Sequence, residues 1–573
     1  MTKFHSKFSK ALACAVAAAP LIAAAPAFAQ EDTSQKFTDI QKLGYLGQTS
    51  KSELTQSVIA RLNAQTTAPA LETTADRFIF WHNVLLDSIA LDHTGSDEFG
   101  GLPPFVQGGP GRTSRALAMV QIAVYDAMNA FEREFFNYNN GVPRARNASM
   151  DVAIAFASFE MQRALFPWRE DVLTSIFESD LDQIGLATTD REFLNGRRVG
   201  VRAARAMLRA RSNDNSTDAE PSFGDGGRVA DGTATFRGGN VNDGAVSPFD
   251  WTPDPNTPEF DVLNFNVSLG AFWGGVTPFT LSSGDQFRIP PPPEPGSEEY
   301  IAAYNQVAAR GGSPENVNTP STSTPATRFN GNYWGYDAVP LLGTPPRAYN
   351  QYAIGVILQE LGCDDPNDIL VDDPESCDAD PMDIARPIAM VNAAIGDTGV
   401  AAWDSKYFYN YWRPVTGIRI DDGVADTQVD PTWDPVGASI INVELPDGED
   451  FIRPTPPFPA YPSGHATFGA VTMQILADFF GDDTPYTWVS DEYNGEGVDP
   501  SGTPRPLVPI LFNTLTDAQI SNGISRIDNG VHWAYDDTQG QALGENIASW
   551  ILNDIRAFQP VRERRPEGLR DSE

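Results

Sequence analysis

Residues 113–131 read TSRALAMVQIAVYDAMNAF, from Thr113 to Phe131. Apolar side chains recur there at three- and four-residue intervals with no strand-like alternation, the signature of an amphipathic or fully buried helix. Thr113 or Ser114 is expected to cap it. The same period returns over 75–91, 151–165 and 190–210, so this half of the chain reads as a helical bundle. It returns again over 348–361, 387–412, 463–480, 517–524 and 536–557. Alternating strand patterns are scarce. The expectation is a mainly α fold of helical bundles, two four-helix bundles, joined by long irregular loops.

The organisation expected along the chain follows. Residues 1–29 carry Lys3, Lys7 and Lys10, an Ala-rich apolar stretch and the small-residue pattern Ala27-Phe28-Ala29, which together read as a signal peptide. Residues 30–70 form a polar N-terminal arm. Residues 71–284 form the N-terminal helical bundle, with a Gly-, Asp-, Asn- and Pro-rich loop insertion at 212–256. Residues 285–346, including Pro290 to Pro293, read as a Pro-rich connector. Residues 347–560 form the C-terminal helical bundle and 561–573 a polar tail.

The chain carries 76 Asp and Glu against 40 Lys and Arg, a net charge of −36. Such an acidic surface disfavours nucleic acid and anionic membranes. No apolar run after the leader reaches the ~20 residues that span a bilayer. The reading is a secreted or periplasmic protein, with no nucleic acid and no membrane as partner. Beyond the leader's Cys14, Cys363 and Cys377 remain, and an oxidising compartment favours a disulfide between them over two free thiols. Their acidic loop, Asp364 to Asp380, is either simply solvated or a Ca²⁺ site built on oxygen ligands.

Three short segments carry chemistry. In the first, Lys406 and Arg413 stand seven residues apart among aromatic residues. On one helix this is two turns, about 10 Å along the axis, so both cations could converge on one anion. A solvated cationic stripe is the plainer alternative. The second is Pro462-Ser463-Gly464-His465, followed by apolar residues at helical spacing. It places Ser463 at a helix N-terminus, where free N–H groups and the dipole favour an anion. Gly464 allows close backbone approach, and His465 can act as acid or base. An ordinary Ser cap beside an exposed His would look the same. The third is Ser525-Arg526 through His532-Trp533. It follows a helix that Thr516 and Gln519 are expected to cap as a box. Arg526 offers a planar fork for an oxyanion, and His532 a neutral nitrogen to act as nucleophile or metal ligand. A core histidine packed on Trp533 is the alternative. Taken together, the segments suit one tetrahedral oxyanion.

This set resembles the superfamily of vanadium haloperoxidases and type-2 phosphatidic acid or acid phosphatases. Its pattern, K-x6-R-P, then P-S-G-H, then S-R-x5-H, is matched by Lys406 to Pro414, Pro462 to His465 and Ser525 to His532. The resemblance implies a vanadate cofactor bonded to His532, with Lys406, Arg413, Ser463, Gly464 and Arg526 binding its oxygens. It implies that His465 helps deprotonate hydrogen peroxide, that Lys406 polarises the bound peroxide, and that Trp403 and Phe458 line a halide subsite. The implied activity is oxidation of halide by hydrogen peroxide to hypohalous acid, with halogenation of a small organic acceptor. Bromide and iodide are expected substrates, and chloride and a homodimer stay open. The alternative is a secreted acid phosphatase in which the same cradle holds phosphate and His532 is the nucleophile.

Overall fold

The computed structural model describes residues 48–94, 105–218, 220, 223, 247–255, 268–366, 369–371, 374–444 and 455–561. The leader, the first part of the arm, most of the 212–256 insertion and nearly all of the tail lie outside the described residues.

The fold is mainly α, with fourteen α-helices among the described residues. The first six are α1 (Glu53–Ala64), α2 (Thr74–Asp92), α3 (Gly109–Glu132), α4 (Met150–Leu165), α5 (Glu170–Ile184) and α6 (Arg191–Ala210). The next four are α7 (Glu298–Arg310), α8 (Pro325–Tyr333), α9 (Pro345–Leu361) and α10 (Pro381–Tyr409). The last four are α11 (Pro414–Gly417), α12 (Gly464–Phe480), α13 (Leu515–Asp528) and α14 (Ala534–Asn553). Helices α2 to α6 pack together as one bundle, and α9, α10, α12, α13 and α14 as a second. Their buried side chains run into one continuous core.

The two bundles meet where α10 lies along α3. Glycines make that approach possible. A Cβ at Gly399 would stand 2.6 Å from Ser114 Oγ, and one at Gly396 would stand 3.1 Å from Ala118 Cβ. Helix α14 closes on α12 in the same way, since a Cβ at Gly540 would meet the Ser463 carbonyl at 2.8 Å. That close packing brings the start of α14, with His532 and Asp536 beside it, onto the N-terminus of α12.

Several local expectations are corrected. Helix α3 begins at Gly109 with Pro110 in its first turn. Thr113 and Ser114 are therefore interior residues whose hydroxyls donate to the Gln107 and Gly111 carbonyls. Helix α13 is capped by Thr514, which accepts the Asp517 N–H, whereas the Thr516 hydroxyl donates to Asp482. Lys406 and Arg413 do not share one helix. Helix α10 ends at Tyr409, Asn410 turns left-handed at φ 48°, and Arg413 precedes α11. The arm contains α1, capped by Ser52. The expected connector contains α7 and α8, which pack on α13 and, for α7, also on α14.

The chain also forms an antiparallel hairpin of β1 (Tyr486–Asn494) and β2 (Leu507–Phe512), in register from Tyr486 opposite Phe512. In β1 the side chains of Tyr486, Trp488, Ser490 and Glu492 alternate inward. Cys363 and Cys377 form a disulfide between the end of α9 and the start of α10. Among the described residues no three His, Cys, Asp or Glu side chains are grouped to hold a metal ion, so the Ca²⁺ expectation for 364–380 gains no support. Nor is any described helix long and apolar enough to cross a membrane.

Candidate active site

All three motif segments converge on one cavity. Its wall is built from Pro110, Leu269, Tyr336 to Ala338, Thr344, Pro345, Trp403, Pro456, Phe458, Gly464, His465, Phe468, Arg526 and His532. Lys406, Arg413 and Ser463 are packed behind this lining and are buried.

Arg526 is fully buried, and its Nη2 donates to Asp337 Oδ1 at 2.8 Å. Its Nε and Nη1 have no partner in the protein. Buried guanidinium donors left unmade are costly, so this fork is built for an anion. The neighbouring Arg526 charge and a backbone N–H from Ser439 stabilise the Asp337 carboxylate, but burial outweighs them and raises its pKa.

His532 is held from behind. Its Nδ1 stands 2.8 Å from Asp536 Oδ2. The same oxygen accepts the Trp533 N–H at 3.0 Å, so it meets the ring as an acceptor and the ring proton sits on Nδ1. Nε2 therefore carries the lone pair, as a metal ligand requires. Burial, reinforced by Arg413, Lys406 and Arg526, pushes the His532 pKa well down and keeps the ring neutral. Burial pushes Asp536 up to about 8, against the pull of the Trp533 N–H, Lys406 and Arg413. Arg413 Nη1 donates to the Val531 carbonyl at 2.8 Å and lies 3.4 Å from His532 Nε2.

Ser463 is the N-cap of α12 and accepts the Ala466 N–H through its hydroxyl oxygen, which leaves its O–H to donate. Gly464 follows in the cavity wall, where its missing side chain keeps the backbone accessible. His465 donates through Nε2 to the carbonyls of Trp334 and Gly335, at 3.0 and 2.8 Å, leaving its Nδ1 as an acceptor. Burial, helped by Arg526, holds its pKa well below the usual histidine value.

Lys406 is placed differently from the expectation. Its ammonium donates to the carbonyls of Pro459, Ala460 and Pro462, so all three protons are used within the protein. It also lies 5.1 Å from the Phe458 ring centroid. Burial, followed by the Arg413 charge, lowers its pKa well below the usual lysine value. Together with Arg413, which donates to the Pro456 and Phe458 carbonyls, it folds the Pro-rich 455–463 segment around itself. The Trp403 and Phe458 rings stand 5.0 Å apart in the wall, and Trp403 Nε1 donates to the Leu269 carbonyl.

Sequence reasoning missed Asp337 and Asp536. The His532-x-x-x-Asp536 spacing at a helix start was a usable signal for the second. Asp337 lies in a stretch without periodicity and gave none. Also unforeseen was Glu492 on β1, which accepts the Tyr336 N–H and the Ser439 hydroxyl and pairs with Arg505. It fastens the loop whose carbonyls hold His465.

Residues 386–559, which contain all three segments, match the family model of the VCPO second helical-bundle domain. The chain is 28% identical to the vanadium chloroperoxidase of Curvularia inaequalis, over 87% of each chain. Among solved structures it is similar to the first bacterial vanadium-dependent iodoperoxidase, with a TM-score of 0.59 and 18% identity. That match covers 87% of this chain and all of the other. It is also similar to a holo-type bacterial vanadium-dependent chloroperoxidase, with a TM-score of 0.51 and 18% identity. Here the match covers 80% of this chain and 95% of the other. At these identities the two structures speak for the fold.

Proposed function

We propose that this protein is a vanadate-dependent haloperoxidase that oxidises bromide and iodide with hydrogen peroxide to hypohalous acid, which halogenates organic acceptors. The observation that carries the reading is the buried cavity in which two unpartnered Arg526 donors and the His532 Nε2 lone pair are gathered. An ion with charged oxygens and a central atom that accepts a nitrogen ligand satisfies both.

The residues present fit vanadate. His532 Nε2 would ligate the metal, Arg526 and Arg413 would neutralise the oxygens, and Ser463 with the Gly464 backbone would donate from the α12 N-terminus. Bound vanadate would supply a Lewis-acid centre that activates peroxide without changing oxidation state. Asp536 fixes the His532 proton on Nδ1. His465, its Nε2–H anchored on two carbonyls, offers Nδ1 to take a proton from incoming peroxide. Lys406 acts from behind, holding Phe458 and the 455–463 segment in place while adding positive field. Trp403 and Phe458 keep water from the halide.

Export to the periplasm or the medium belongs to the same proposal. The leader pattern supports it, and the Cys363–Cys377 disulfide suits an oxidising compartment. Equilibrium dialysis against orthovanadate tests the cofactor assignment. Wild type should bind stoichiometrically and His532→Ala should not, whereas tight binding retained by the variant would refute His532 as the ligand.

A further inference from the structure

The cavity wall holds a polar group that the vanadate cradle does not use. Thr344 is the N-cap of α9. A threonine in that position ordinarily accepts an N–H of the first turn through its hydroxyl. Here the Arg347 N–H goes instead to the Thr344 carbonyl oxygen at 2.9 Å, and the side chain makes no capping bond. Pro345 and Pro346 fill the first two helical positions and have no N–H to offer. The hydroxyl is thus released from capping. It is fully buried, has no hydrogen-bond partner in the protein, and belongs to the wall that Trp403, Phe458 and His465 share.

The surroundings say which ligand it suits. The cavity wall that includes Thr344 is largely apolar, with Pro110, Leu269, Pro345, Trp403, Phe458 and Phe468, whereas its oxyanion donors belong to Arg526 and the start of α12. A small, weakly hydrated monovalent anion tolerates apolar walls, needs few donors, and is favoured by a helix N-terminus. We propose that Thr344 Oγ1 donates a hydrogen bond to the halide and is the polar member of a subsite completed by Trp403 and Phe458. This rests on the haloperoxidase reading.

The test compares Thr344→Val, which keeps the branched shape and removes the hydroxyl, with Thr344→Ser, which keeps the hydroxyl. Three quantities are measured on the vanadate-loaded protein: bromide KM and kcat, vanadate affinity by equilibrium dialysis, and bromide position by anomalous diffraction from soaked crystals. The valine variant should raise the bromide KM about tenfold, the loss of one hydrogen bond to an ion. Its kcat and vanadate affinity should stay within about twofold, and serine should restore the KM. Because the hydroxyl has no protein partner, the valine variant should melt no lower than wild type, whereas a structural role would lower the melting temperature. Bromide should be found touching Thr344 Oγ1. An unchanged bromide KM in the valine variant, or bromide bound away from Thr344, overturns the inference. If wild type brominates nothing, the haloperoxidase reading falls, and the bromide position alone then decides for or against Thr344.

Discussion

Replacing Asp536 by Asn tests how the metal ligand is prepared. Asp536 and His532 are both almost completely buried, and their 2.8 Å contact is reinforced by the Trp533 N–H on the same oxygen. Above about pH 8, where the Asp536 carboxylate is charged, an asparagine of equal size can keep its oxygen at that point but carries no charge. A hydrogen bond to a charged group contributes about 1.5–3 kcal/mol, a neutral one about 0.5–1.5. The exchange therefore removes about 1–1.5 kcal/mol of support for the Nε2-ligating form of the ring. That corresponds to roughly tenfold weaker vanadate binding. Loss of such an outer partner at metal sites costs about 10–100-fold, which brackets the figure. Equilibrium dialysis with orthovanadate at about pH 9, above the Asp536 pKa of about 8, measures it, with a melting curve of the vanadate-free variant as control. A dissociation constant within about twofold of wild type, in a variant that melts normally, would refute the idea that Asp536 prepares His532.

Arg526→Lys keeps a charge but loses the fork, and should weaken vanadate binding by about 10–100-fold in the same dialysis. His82 is buried against Gln121, and burial holds its pKa down to about 3. The stability from its neutral form is intact above the unfolded value of about 6.5 and is lost as pH falls below that value. The stability gap between wild type and His82→Gln, measured by urea unfolding, should therefore narrow by about 2 kcal/mol from pH 7 to pH 5. The disulfide closes a loop of about 15 residues, for which chain entropy gives about 3 kcal/mol. The Thr73 hydroxyl donates to the Cys377 carbonyl and the Cys377 N–H donates to Asp76, which ties that loop to the start of α2. Cys363→Ser with Cys377→Ser should lower the melting temperature while leaving vanadate affinity unchanged, since neither residue lines the cavity.

The helices with long apolar periods were legible because their burial pattern is written at fixed spacing, α3 and α12 most plainly. The three charged and histidine segments were legible because each is short and local. What the sequence concealed depends on contacts between distant parts. Asp337 and the Trp334 and Gly335 carbonyls reach the site only because the 334–344 loop folds over α12 and α13. The hairpin that fastens this loop through Glu492 has a nine-residue first strand whose inward positions mix Tyr and Trp with Ser and Glu, which blurs the apolar alternation. The break after α10 had a usable signal, since a proline shortly beyond Asn410 marks a helix end. A single helix from Lys406 to Arg413 is incompatible with that signal. The true geometry places both cations behind the cavity, engaged with the carbonyls of the 455–463 segment.

The most direct test of the central claim is a bromination assay on the full chain with hydrogen peroxide and bromide, run with and without added orthovanadate. The account predicts bromination that appears only with vanadate. Peroxide and bromide left unconsumed at every vanadate concentration, together with hydrolysis of a phosphate ester that vanadate inhibits, would contradict it and assign the same residues to phosphate chemistry.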